Sequence, residues 1–219
     1  MSGFLVKICG LSTPDSLEWA IAAGADLVGF VHFPKSPRHV AAEVAAALSR
    51  QARGRAKTVL LTVDAPDDLL DALVATVAPD FLQLHGRESH ERVSGVRARH
   101  GRPVIKALGI GSAEDVAAAG AFAGAADLLL YDAKPPKDAS RPGGLGVAFD
   151  WSLLVGAPTP FLLSGGLDPT NVGEAVRRVR PSGVDVSSGV ESAPGVKDAV
   201  RIDAFVTAAR AAGEQGNDD

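Results

Sequence analysis

Asp127-Leu128-Leu129-Leu130-Tyr131-Asp132 is an apolar run closed at both ends by a carboxylate. Side chains of an extended segment alternate between faces, so Leu129 and Tyr131 share one face and Leu128 and Leu130 the other. Both faces are apolar. A strand with no wet face belongs to a parallel sheet, covered by helices on one side and a packed interior on the other. Comparable β-branched or leucine-rich runs recur near residues 5–9, 26–31, 57–63, 80–84, 103–107, 161–164 and 183–186, making eight in all. Between them lie alanine-rich segments with helical periodicity, such as Leu17, Ile21, Ala22 and Leu69, Leu70, Leu73, Val74. Strand then helix, repeated eight times, predicts an α/β protein: a single-domain (β/α)8 TIM barrel over residues 1–212. An open doubly wound sheet is the alternative topology. Gly213-Glu214-Gln215-Gly216-Asn217-Asp218-Asp219 reads as a disordered C-terminal tail.

The 219-residue chain is 46% hydrophobic and 22% charged, ordinary for a globular protein with one large core. An aromatic share of 5% supplies no stacking surface for nucleic acid, and a net charge of −4 argues against a polyanion partner. Neither forbids a local cationic pocket for a small anion. Cys9 is the single cysteine, which excludes an internal disulfide and a cysteine-based metal cluster. Met1-Ser2-Gly3-Phe4 starts no basic-then-apolar leader, and no run reaches the roughly 18 apolar residues of a membrane span. A cytoplasmic protein with neither membrane nor nucleic-acid partner is expected; monomer and homodimer both remain open.

Helix starts are marked by Thr13 before Pro14, Asp64 before Pro66 and Asp168 before Pro169. They set the direction of reading, and each polar motif then falls after a strand and before a helix, on the catalytic face of a barrel. In Val6-Lys7-Ile8-Cys9-Gly10, alternation puts Lys7 and Cys9 on one face, an ammonium beside a thiol. A lone cysteine is ordinarily an inert core residue, so the reading of Cys9 depends on its company. Leu163-Ser164-Gly165-Gly166-Leu167 and Val186-Ser187-Ser188-Gly189-Val190 follow the seventh and eighth strands, where such barrels frequently bind phosphate through backbone N–H groups. Asp132 shares a strand face with Leu128 and Leu130, an apolar floor that favours a neutral carboxyl. Ala133-Lys134-Pro135-Pro136 cannot start a helix promptly, so Asp132 is not simply a cap. Arg38 lies in the proline-stiffened loop after the second strand, its guanidinium held ready for a bidentate grip on a carboxylate. His85, in Gln83-Leu84-His85-Gly86, is suited either to orienting a loop or to touching substrate.

The stretches VKICGL, GFVHFPKSPRHV, LQLHG, LLLYDAK, FDW, FLLSGGLDPTNV, and VDVSSGVES followed after Ala193 by PGVKD, resemble those of the phosphoribosylanthranilate isomerase family of tryptophan biosynthesis. Each is short, but their order over nearly the whole chain is highly specific. One departure stands in Gly143-Gly144-Leu145-Gly146, where the family usually shows threonine at the position of Leu145. The resemblance implies a cofactor-free, metal-free Amadori rearrangement of N-(5-phosphoribosyl)anthranilate to 1-(2-carboxyphenylamino)-1-deoxyribulose 5-phosphate. It implies Cys9 as general base and Asp132 as general acid, and Arg38 facing the anthranilate carboxylate. Lys7, His85 and Ser187 join the substrate site, and the loops at Gly165, Gly166, Ser188 and Gly189 form the phosphate cradle.

The chemistry accounts for these residue types. Opening the furanose needs a proton for the ring oxygen, and the resulting Schiff base acidifies the adjacent C–H for removal by a thiolate. A free thiol titrating at about 8.5 is only slightly ionised at neutral pH, and Lys7 is expected to lower that value. Barrel closure brings the eighth strand beside the first, so a contact between Lys7 and Asp185 is expected as well. Other sugar-phosphate barrels, an epimerase or a lyase, would share the glycine loops but need neither Cys9 nor the Arg38 loop. A bifunctional isomerase would require a second phosphate grip, and a non-catalytic metabolite sensor would need neither acid nor base.

Overall fold

The structure, a computed structural model, describes residues 3–134, 149–157 and 160–215. Leu145 and the end of the expected tail, residues 216–219, lie outside the described residues. Strand and helix alternate as β1 (Leu5–Cys9), α1 (Pro14–Ala22), β2 (Leu27–Val31), α2 (Ala42–Ala52), β3 (Lys57–Thr62), α3 (Asp67–Val77), β4 (Phe81–Leu84), α4 (His90–His100), β5 (Val104–Ile110), α5 (Ala113–Ala119) and β6 (Leu128–Ala133). After a 3-10 turn at Trp151–Leu154 come β7 (Phe161–Leu163), α6 (Val172–Val179) and β8 (Gly183–Val186). A small hairpin, β9 (Glu191–Ala193) and β10 (Val196–Lys197), then precedes α7 (Ala199–Gln215). Strands β1 to β8 pair in parallel and in order, and β1 closes on β8 with Lys7 opposite Asp185. This is the (β/α)8 barrel expected from the eight runs; the open sheet is excluded by that closure.

Alternation then assigns every strand residue to the inside or the outside. Leu27, Val59, Phe81, Ile105, Leu128, Leu130 and Leu162 form one buried cluster, the barrel interior. Val6, Ile8, Val28, Phe30 and Leu82 point outward and pack against helical residues such as Leu17, Leu48, Leu73 and Phe205. Leu5 packs on the interior cluster, so Lys7 and Cys9, in phase with it, also point inward. Asp132 is likewise in phase with Leu128 and Leu130.

The opposite rim is built for stability. Asp26, Asp80 and Asp127 each stand one residue before an even-numbered strand, and each accepts the backbone N–H of the preceding odd strand: Val6 at 2.7 Å, Thr58 at 2.9 Å and Val104 at 2.8 Å. These N–H groups have no strand partner there, so the carboxylates complete the ladder where it begins.

Thr13 caps α1 as expected, accepting the Ser16 N–H while the Ser16 hydroxyl takes that of Thr13. The two aspartate caps are corrected. Pro66 occupies the position before α3, and Asp64 instead takes a left-handed φ of 47° and accepts the Arg87 N–H at 2.6 Å. Asn171 precedes α6, and Asp168 closes the turn before it by accepting from the Thr170 and Asn171 N–H groups. In both places the helix begins further along the chain, at Asp67 and at Val172. The domain boundary also moves: α7 continues through Gly213, Glu214 and Gln215. Gly213 is buried, and the Phe4 ring lies 2.5 Å from where its Cβ would stand, so this part of the expected tail is helix packed on the barrel.

Candidate active site

Lys7 has no exposed surface, and its Nζ lies 2.6 Å from Asp185 Oδ1, the contact expected from barrel closure. Asp185 Oδ2 accepts the Ser164 hydroxyl at 3.1 Å. Two residues further along β1, Cys9 packs with Val31 and Leu61 near the carboxyl end of the strands. Gly29 on the adjacent strand explains how thiol and ammonium fit side by side. A Cβ there would stand 2.9 Å from Cys9 Sγ and 3.3 Å from Lys7 Nζ. Burial pushes the Cys9 thiol above its ordinary range; the Lys7 ammonium opposes the shift and Asp185 adds to it. The expected effect of Lys7 is therefore present but outweighed by desolvation, because the thiol is almost wholly buried. Burial also disfavours the Lys7 ammonium, yet Asp185 and Cys9 beside it hold it above the ordinary lysine range.

Asp132, at the end of β6, is 7% exposed. Its Oδ1 accepts the Ala133 N–H at 2.8 Å, and its Oδ2 faces His85 Nε2 at 3.4 Å. Gln83, in phase with His85 on β4 and fully buried, places its amide nitrogen 3.0 Å from His85 Nδ1. With that amide donating to Nδ1, the N–H of the His85 ring is on Nε2 and points at Asp132. His85 thus stands against Asp132, a placement its sequence context left undecided. The loop after β7 runs alongside: Gly165 has φ 85°, and a Cβ there would lie 2.5 Å from Ala133 N and 3.1 Å from Asp132 Oδ1. Gly189 packs so closely on this loop that its Cβ would stand 1.9 Å from the Leu167 carbonyl oxygen. The glycines let the two expected phosphate loops pack on each other, with Gly165 beside Asp132.

Arg38 requires a correction. Its guanidinium is not held open for a ligand: Nε and Nη2 form a fork on Glu191, at 2.7 and 2.8 Å, with both side chains almost wholly buried. Glu191 also accepts from Lys197 at 2.8 Å and from the Gly195 N–H at 3.2 Å. Burial would raise the Glu191 carboxyl, but Arg38 and Lys197 outweigh it and hold the group below the usual carboxylate range. Lys197 donates to the Ser187 carbonyl at 2.8 Å, and the Ser187 hydroxyl donates to the Cys9 carbonyl at 3.0 Å. A chain of contacts thus ties the β9–β10 hairpin to the backbone of Cys9. Glu191, Lys197, Gln83 and Gly29 are the site residues that sequence reasoning missed. Gln83 had a readable signal in its alternation with His85, as did Gly29 in its place inside an otherwise apolar strand.

Proton-transfer groups on β1 and β6, facing one interior whose rim presents glycine loops after β7 and β8, are equipped to move protons along a phosphorylated sugar. The chemistry of an aldose–ketose isomerase on a (β/α)8 barrel has this form. Comparison with known proteins narrows the class. The family model of N-(5'-phosphoribosyl)anthranilate (PRA) isomerase matches residues 6–208, and the chain belongs to that family. It is 59% identical over 212 residues to the N-(5'-phosphoribosyl)anthranilate isomerase of Rhodopseudomonas palustris strain HaA2, covering 96% of this chain and 97% of that one. Its identity to the Azorhizobium caulinodans enzyme of the same name is 60% over 209 residues, covering 94% and 92%. Among solved structures, phosphoribosyl anthranilate isomerase from Thermotoga maritima superposes with a TM-score of 0.86 at 36% identity, covering 95% of this chain and 99% of that one. A phosphoribosyl anthranilate isomerase in complex with reduced 1-(o-carboxyphenylamino)-1-deoxyribulose 5-phosphate gives 0.83 at 33% identity, with the same coverage.

Proposed function

We propose that this chain performs the Amadori rearrangement of tryptophan biosynthesis, with Asp132 as general acid and Cys9 as general base. The substrate is N-(5-phosphoribosyl)anthranilate and the product 1-(2-carboxyphenylamino)-1-deoxyribulose 5-phosphate. The reading rests on one observation above the family membership: a thiol beside an ammonium and a carboxyl beside an imidazole both point into the same barrel mouth. Asp132 gives its proton to the furanose oxygen while the anilino nitrogen lone pair forms the C=N bond and the C1–O bond breaks. The Cys9 thiolate then removes the C2 proton, the C2–H electrons form the C1–C2 double bond, and the C=N electrons return to nitrogen. The resulting enol tautomerises to the ketone. Oxidation at C2 and reduction at C1 occur within one molecule, so proton transfer is sufficient.

His85 holds Asp132 from behind, and Lys7 favours the thiolate against the burial that opposes it. The backbone of Gly165, Gly166, Ser188 and Gly189, with Ser187 beside them, receives the substrate phosphate. Arg38, held on Glu191, keeps the place beside the anthranilate carboxylate that the family resemblance gives it.

Fluorescence loss of freshly prepared phosphoribosylanthranilate tests the reading directly. Cys9→Ala and Asp132→Asn should each lower kcat by about 10²–10⁴ while binding of a product analogue survives. Unchanged turnover in either variant refutes the role given to that residue.

A further inference from the structure

Lys106 lies outside the site just described. It is on β5 between Ile105 and Ala107, both part of the interior cluster, so its side chain leaves the barrel on the helix side. Even so, it is 1% exposed. Its Nζ donates to the Gly86 carbonyl at 2.8 Å, to Glu88 Oε2 at 2.7 Å and, at the longer distance of 3.4 Å, to the Leu84 carbonyl. Leu84 and Gly86 are the two residues flanking His85. Glu88, with its side chain 4% exposed, completes the arrangement by accepting the Gly86 N–H at 2.9 Å and the Asp64 N–H at 3.0 Å. Gly86 is confined from the other side as well, since a Cβ there would meet Asp64 Oδ1 at 2.3 Å.

A buried ammonium with a buried carboxylate is a costly device for closing a surface loop, because apolar residues would cover the same space as well or better. What the charges add is direction. One ammonium on the helix side grips the peptide carbonyls on both sides of a single residue, and the ring of that residue points into the barrel mouth at Asp132.

We infer that Lys106 and Glu88 are a positioning pair for the acid: they set the His85 backbone, and through it the ring opposite Asp132, without touching substrate. The inference rests on the proposed role of Asp132 and His85. Losing the pair lets the segment 84–86 shift, and misplacement by about 1 Å of a group near the reacting atoms costs on the order of 10²-fold in rate.

The test uses Lys106→Met/Glu88→Gln, which removes both charges and leaves no buried ion alone, with Lys106→Arg as the conservative variant. The double variant should lower kcat by about ten- to a hundredfold with KM within about twofold, and Lys106→Arg should restore much of the loss. In a His85→Ala background the double variant should cost nothing further, because the residue being positioned is gone. Histidine-selective NMR supplies a readout independent of turnover: the His85 ring resonance should be single in the parent and should broaden or double in the double variant. A rate loss that adds to that of His85→Ala, or a His85 resonance unchanged in a variant with lowered thermal stability, overturns the inference and leaves a merely structural pair. If His85→Ala itself turns over normally, the reading of His85 in the acid fails on its own, and the NMR result still decides the positioning.

Discussion

Replacing Asp185 with asparagine removes the charge 2.6 Å from Lys7 Nζ and preserves an oxygen for the Ser164 hydroxyl, so the change is almost purely electrostatic. At an effective dielectric constant of about 20, two unit charges at that distance attract by about 6 kcal/mol. Several kcal/mol of desolvation per ion offset this, which makes the intact pair roughly neutral against apolar side chains of the same size. Breaking it is another matter. With no exposed surface on Lys7, Asp185→Asn strands a cation inside the barrel, and a loss of about 3–5 kcal/mol is expected. Lys7→Met strands the carboxylate and should cost a similar amount. The double variant Lys7→Met/Asp185→Asn strands neither, so its cost should fall short of the sum of the singles by on the order of 2–3 kcal/mol. Urea unfolding midpoints of the four proteins at neutral pH measure the cycle. Single losses that add within about 0.5 kcal/mol would show that the two charges do not sense each other. The pH dependence carries its own sign. The folded Lys7 ammonium is held above the ordinary lysine range, so its contribution is complete below about pH 10.4 and disappears only as pH rises through the folded value. The gap between parent and Lys7→Met should therefore stay constant from pH 7 to pH 10, as round limits on the order of those bounds, and narrow above them.

The pH–rate profile tests the same lysine in the chemistry. Because burial holds the Cys9 thiol up, kcat/KM should climb with pH beyond the ordinary cysteine value of about 8.5, and Lys7→Met should move that limb to higher pH still; a limb that stays put or moves down removes Lys7 from the activation of the thiol. On the opposite rim, Asp80→Ala gives up two hydrogen bonds from Thr58 and should cost about 1–3 kcal/mol in urea unfolding, with kcat unchanged. Burial acts to raise the Asp80 carboxyl, but hydrogen bonds from Thr58 and Lys57 outweigh it and hold it below the usual range. Its contribution is thus present above the ordinary aspartate value and lost as pH falls below about 3.9, where the gap between parent and variant should close; a gap independent of pH, or a loss of turnover, contradicts this assignment.

The architecture was readable from the chain because it rests on two local properties, the alternation of side chains along a strand and the order of strands and helices. Those two are enough to put Cys9, Lys7 and Asp132 inside the barrel and at its carboxyl end. With the added assumption of closure they bring Asp185 to Lys7 across 178 residues of sequence. What alternation cannot supply is the path of a loop. Arg38 reads in sequence as an open fork on the loop after β2, whereas the β9–β10 hairpin folds Glu191 back onto it from 153 residues away. Asp64 and Asp168 look like helix caps by composition, and only the backbone after each proline decides that they serve the turns instead. Lys106 is the sharpest case. In sequence it is one more lysine in an apolar strand, facing away from the interior. Its meaning depends on Leu84, Gly86 and Glu88, which belong to a neighbouring strand and loop. The linear chain thus determined which face each strand residue takes and where Cys9 and Asp132 stand. Tertiary structure alone decided which charges are already paired, because burial and pairing depend on neighbours that only barrel closure and loop folding bring within reach.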